Sequence, residues 1–115
     1  MVDPIPLRRL INWERLRSDE AERIIKERAA DSDKVDISLH AYDRVEERSI
    51  LAADVFVILR QGMIEGAARK NEFGDWEATM VKRMPGRREA GVVTIIFQDE
   101  DRIFVKTVQW MDWTR

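Results

Sequence analysis

The chain has 115 residues, enough for one ordinary domain with one modest core and too few to expect a second. Hydrophobic residues make up 44% and charged residues 37%, with a net charge of only -2. This is the composition of a soluble globular protein and excludes one that coats nucleic acid by bulk electrostatics, although a local basic patch stays open. With no cysteine, disulfides and thiolate metal sites are excluded, which agrees with a cytoplasmic home.

The first nine residues hold no apolar core of a signal peptide, and the longest apolar run, Val92 to Phe97, is interrupted by Thr94. Neither a leader nor a membrane span is expected. Residues 1–17 are expected to form an arm kept extended by Pro4 and Pro6. Its Leu7, Leu10, Ile11 and Trp13 are apolar groups that dock on the domain or on a partner. A single domain is expected over 18–115. Ser18 before Asp19 and Glu20 predicts a helix start, with Ala21, Ile24, Ile25, Arg28 and Ala29 as its narrow inner stripe. Asp31-Ser32-Asp33 ends that helix; it lacks the glycine and closing glutamate of a calcium loop and is read as a solvated turn.

Ser38 to Gly62 predicts two short helices. Ser38 is a candidate N-cap, and His40, Arg44 and Arg48 then fall at i, i+4 and i+8 along one face, while Ala41 and Val45 can turn inward. Such a stripe needs carboxylate partners, with Asp43, Glu46 and Glu47 at hand, or an anionic ligand. Val55, Phe56, Ile58 and Leu59 give the second helix its apolar side before Gly62 stops it.

From there the period becomes two. Met63 to Ala68 is a weak, glycine-containing strand suited to a sheet edge. Beyond the turn at Asn71–Asp75, Trp76, Ala78, Met80 and Met84 alternate with Glu77, Thr79, Val81 and Arg83. Val92 to Phe97 is apolar on both faces, as in a central strand. Arg102 to Trp110 returns as the last strand, with Phe104, Val108 and Trp110 on one face and Ile103, Val105 and Thr107 on the other. The expectation is an α+β domain whose N-terminal helices pack on a three- to four-stranded antiparallel sheet, leaving the other face for function.

Four cations, Lys82, Arg83, Arg87 and Arg88, flank the Pro85-Gly86 turn; they can contact an RNA backbone or form a solvated hairpin tip. Trp76, Trp110 and Trp113 can stack bases or anchor a core or interface. Asp99, Glu100, Asp101 and Glu89 lack the converging geometry of a metal site. Phosphate-cradling loop, nucleophile elbow and zinc spacing are all missing, so no metal or cofactor is expected.

The pattern Ser-x-His-Ala-x-x-Arg-x-x-Glu-Arg-x-Ile, followed by Asp-Val and Leu-Arg-x-Gly, runs from Ser38 to Gly62. It resembles the bacterial domain-of-unknown-function family 4258. The likeness continues through Lys70 to Trp76, Arg88 to Ile96 and Phe104 to Trp110, and so covers most of the chain after Ser18. Ser49 and Leu51 depart from the small or hydroxyl pair usual around Ile50, which leaves the cap of the second helix in question. The resemblance implies a relative of the RelE-like and MqsR-like ribonucleases, the toxin half of a toxin–antitoxin pair whose partner protein is encoded nearby. It implies RNA cleavage without metal. That chemistry needs an acceptor for the 2′-hydroxyl proton, cations for the phosphorane and a donor for the leaving oxygen. His40, Arg44 and Arg48 are the candidates, joined from the sheet by Lys106 and Thr107 or Thr94. The other reading is a non-catalytic interaction domain that binds a partner, or a second copy as a homodimer, through its sheet edge or its Trp110–Trp113 end.

Overall fold

A computed structural model describes residues 11–86 and 88–111. The expectations for Leu7, Leu10, Arg87 and Trp113 lie outside those residues. Among the described residues the elements are α1 (Ser18–Ala29), a 3-10 turn (Ser32–Lys34), β1 (Val35–Ile37), α2 (Leu39–Glu47), α3 (Ala52–Gln61), β2 (Met63–Lys70), β3 (Trp76–Met84), β4 (Arg88–Ile96) and β5 (Ile103–Trp110). The strands form one sheet in the order β1-β5-β4-β3-β2. The α+β class is as expected. The sheet is not: it has five strands and is mixed, because β1 pairs in parallel with β5, Val35 opposite Ile103 and Ile37 opposite Val105. Three residues are too short a run to show a period of two, and their pairing depends on a partner about 70 positions away.

Local chemistry sets the helix ends. Asp19 and Glu20 in the first turn of α1 and Lys26 and Arg28 in its last complement the helix dipole. Ser18 is the first helical residue rather than the cap; the cap position is Arg17, whose side chain makes no capping bond. Ser38 does cap α2, its hydroxyl accepting from the Ala41 N–H at 2.9 Å. At α3 the apolar Leu51 holds the cap position, and the Asp54 carboxylate reaches back to accept the Leu51 N–H at 3.1 Å, one half of a capping box. Gly62 ends α3 where no side chain fits: a Cβ there would fall 2.5 Å from the carbonyl oxygens of Ile58 and Val81.

One set of strand side chains, including Ala78, Met80, Ala90, Val92, Ile96, Ile103, Val105 and Val108, is buried in a single cluster with the helical residues Ala21, Ile24, Ile25, Val55, Ile58 and Leu59. Leu16 joins that cluster, and Ile11 and Trp13 pack half-buried against it, so the described part of the arm docks on the domain. Arg28 fastens α1 to the β4–β5 turn: its guanidinium donates to the carbonyls of Phe97 (2.8 Å) and Arg102 (2.9 Å) and pairs with Asp101 at 3.2 Å. Strand side chains of the opposite phase, among them Glu77, Thr79, Val93, Ile95, Phe104 and Thr107, are only partly buried and make the accessible face. Among the described residues no helix is long and apolar enough to cross a membrane.

The last strand departs from its expected alternation. Val105 pairs with Thr94 and Thr107 with Val93, so Lys106 has no partner and bulges. Past that point the phase reverses: Ile103 and Val105 are buried on the same side as Val108 and Trp110, while Phe104 and Thr107 lie in the other phase.

Candidate functional site on the accessible sheet face

Two bulges lie on one line across the sheet. In β2, Glu65 pairs with Thr79 and Arg69 with Glu77, so that Gly66, Ala67 and Ala68 oppose Ala78 alone. Gly66 makes this possible with φ +68, a left-handed conformation that favours glycine. Ala78 pairs with Thr94 of β4, and Thr94 pairs with Val105, the residue before the Lys106 bulge. Bulges bend a strand and re-aim side chains, so two at one level crease the sheet there. Beside the β2 bulge lies a concavity of about 370 Å³ lined by Glu65, Arg69, Glu77, Thr79 and Val93.

Glu77 is the focus of that crease. One of its oxygens, Oε2, accepts from Asn71 Nδ2 at 2.9 Å and from Lys106 Nζ at 3.1 Å. Lys106 therefore reaches across β4 from β5 to β3. The Glu77 side chain keeps 19% of its exposure and Lys106 53%, so the pair is open to a ligand. Arg69 is the cross-strand neighbour of Glu77. Asn71 is itself held, its Oδ1 accepting the N–H groups of Phe73 (2.9 Å) and Asp75 (3.0 Å) across the β2–β3 turn.

The helical stripe is arranged differently from the expectation. Arg44 is ion-paired with Glu47 one turn on. Arg48 donates to the Val108 carbonyl at 2.6 Å, and the Trp110 indole donates to the Arg48 carbonyl at 3.0 Å. The Ser38 hydroxyl donates to the Lys106 carbonyl at 3.0 Å, so both ends of α2 occupy carbonyls along β5 where β1 has ended. His40 is exposed on the first turn of α2, two residues from the Ser38 tether. Thr107 turns to the accessible face opposite Val93, whereas Thr94 is fully buried and donates to the Val92 carbonyl at 3.2 Å.

Among the described residues the hairpin cations Lys82, Arg83 and Arg88 do not form one patch. Lys82 and Arg88 share the phase of Met80 and Ala90, Arg83 the opposite phase, and the Arg88 guanidinium lies 4.2 Å from the centre of the Trp110 ring. Met84, at the hairpin, stands six positions beyond Ala78, roughly 20 Å away at ~3.4 Å per residue. Trp76 and Trp110 are buried anchors, the Trp76 indole donating to the Trp13 carbonyl at 2.8 Å. Of the turn acids, Asp101 is engaged by Arg28 and Lys34, and among the described residues no group of three or more acids or histidines converges.

Sequence reasoning passed over Glu77, Asn71 and Arg69. The signal available was a glutamate at an outward position of a strong strand beside a glycine-bearing, irregular edge strand. No family model, no curated protein and no solved structure matches this chain.

Proposed function

We propose that this chain is an RNA endonuclease acting without metal, the toxin half of a toxin–antitoxin pair. In this reading it is a cytoplasmic relative of the domain-of-unknown-function family 4258 and, through it, of the RelE-like ribonucleases. The observation that carries the reading is the creased, accessible sheet face, onto which the Lys106 bulge turns an ammonium and Thr107. Residues of α1 and α3 are buried with the strand side chains of the other phase, which supports a RelE-like arrangement of helices behind the sheet. RNA cleavage through the 2′-hydroxyl needs little more than cations for the phosphorane and a proton acceptor and donor, and an open sheet face admits a single strand. Lys106 supplies charge to the phosphate, and the exposed His40 supplies the proton for the leaving oxygen. Arg44 and Arg48 serve by building α2 and seating it on β5, not by gripping phosphate. The antitoxin would cover the same face.

Inducing the protein in a bacterium tests this. The wild type is expected to arrest growth and fragment transcripts, and Lys106→Ala and His40→Ala are expected to relieve both. Normal growth and intact transcripts at full expression of the wild type would remove the nuclease reading. The binding-module alternative draws on β2, an edge strand with Met63 67% exposed. The three-residue bulge at Gly66–Ala68 blunts that edge for strand addition, which places this reading second.

A further inference from the structure

The nuclease reading leaves the proton acceptor unassigned, and the geometry points to Glu77. We propose that Glu77 takes the proton of a ribose 2′-hydroxyl from a single-stranded RNA lying along the crease between the β2 and β5 bulges, with Lys106 and Asn71 as its positioning residues. Both donors meet on Oε2, which holds that oxygen and leaves Oε1 to accept a third hydrogen bond. A base held by two partners and opening on a concavity has the preorganisation proton transfer needs. His40 has no hydrogen-bond partner among the described residues to set its ring or tautomer. The two bulges supply an independent line of argument. They come from different strands, yet they meet the sheet at the same level, and Glu77, Thr79 and Val93 line the concavity beside the β2 bulge.

The step balances without a further reactant. The 2′-oxygen gives its proton to Glu77 Oε1 and bonds to phosphorus as the bond from phosphorus to the 5′-oxygen breaks. The departing 5′-oxygen takes a proton from His40, and exchange with water restores both groups. The products are a 2′,3′-cyclic phosphate and a 5′-hydroxyl end. Lys106 Nζ, already 3.1 Å from the carboxylate, lies beside the charge that develops on the phosphate oxygens.

The inference rests on the nuclease reading, and the experiment separates the two. Purified wild type, Glu77→Gln and Glu77→Asp are compared on a short single-stranded RNA and on the same strand with one 2′-deoxy position. The expected result is a kcat lower by about 10²–10⁴-fold in Glu77→Gln, with KM within about threefold and an unchanged urea midpoint. The deoxy position should bind but not be cut. Wild type that cleaves no RNA overturns the function and this inference together. Wild type that cleaves while Glu77→Gln keeps its kcat, or that cuts the deoxy position, overturns this inference alone. Should Glu77→Gln fail to fold, Glu77→Asp decides, because it keeps the charge but withdraws the oxygen by one methylene: an undiminished kcat overturns the assignment, and a fall of tenfold or more upholds it.

Discussion

Arg28 and Asp101 show how far one residue's position depends on what surrounds it. Period alone puts Arg28 on the inner stripe of α1, where a charge should cost stability. The cost is offset because the guanidinium reaches two carbonyls at the β4–β5 turn and the Asp101 carboxylate. Burial pushes Arg28 down from its ordinary value, and Asp101 opposes that shift. Asp101 in turn is held below the usual carboxylate range, first by its hydrogen bond from Lys34 and then by the charges of Lys34 and Arg28. A depressed folded-state pKa means stability that is present above the ordinary carboxylate range and is lost as pH falls through the lowered value. Asp101→Asn is therefore expected to lower the urea midpoint at neutral pH and to converge on wild type in acid. The neutral-pH deficit should stay within about 1 kcal/mol, because the group is 66% exposed and screened. A deficit that persists unchanged to low pH would assign the effect to something other than charge.

At the scale of elements, what was legible is what is local. The α2 cap at Ser38, the stop at Gly62, the edge character of β2 and the central place of β4 all follow from residue type and spacing. The bulge at Lys106 was not legible, because nothing in Val-Lys-Thr-Val marks one residue as unpaired; the partner strand's register decides it, and it reverses half of β5. The role of Arg48 was hidden for the same reason. A cation at i+8 from His40 looks free until β5 presents a carbonyl to it. Arg48 and Ser38 occupy outward carbonyls that β1, only three residues long, leaves uncovered. Arg48→Met keeps the apolar stem and removes the donor, so it should cost about 1.5–3 kcal/mol in urea denaturation by leaving the Val108 carbonyl without it. A change below about 0.5 kcal/mol, together with lost RNA affinity, would instead return Arg48 to the role of a phosphate ligand.

For the whole molecule, the low net charge bears on how RNA is held. A chain at -2 has no long-range pull on a polyanion, so binding must come from the few cations that face the crease. Those are Arg69 and Lys106, whose partner Glu77 itself lines the crease; Arg44 and Arg48 are held on α2 by Glu47 and the Val108 carbonyl, Lys82 and Arg88 share the inner phase of their strands, and Arg83 stands at the distant hairpin. Each contact between a cation and a phosphate of a single strand contributes ~0.7 to the slope of log K against log salt, so two contacts predict a slope of about -1.4. Titrating a labelled single-stranded RNA with protein over a range of KCl concentrations measures this slope. Lys106→Met should make it shallower by ~0.7, while Lys82→Met should leave it unchanged. A wild-type slope of about -4 or steeper would mean that the β3–β4 hairpin also touches the strand, which would move the RNA's path from the crease to the length of the sheet.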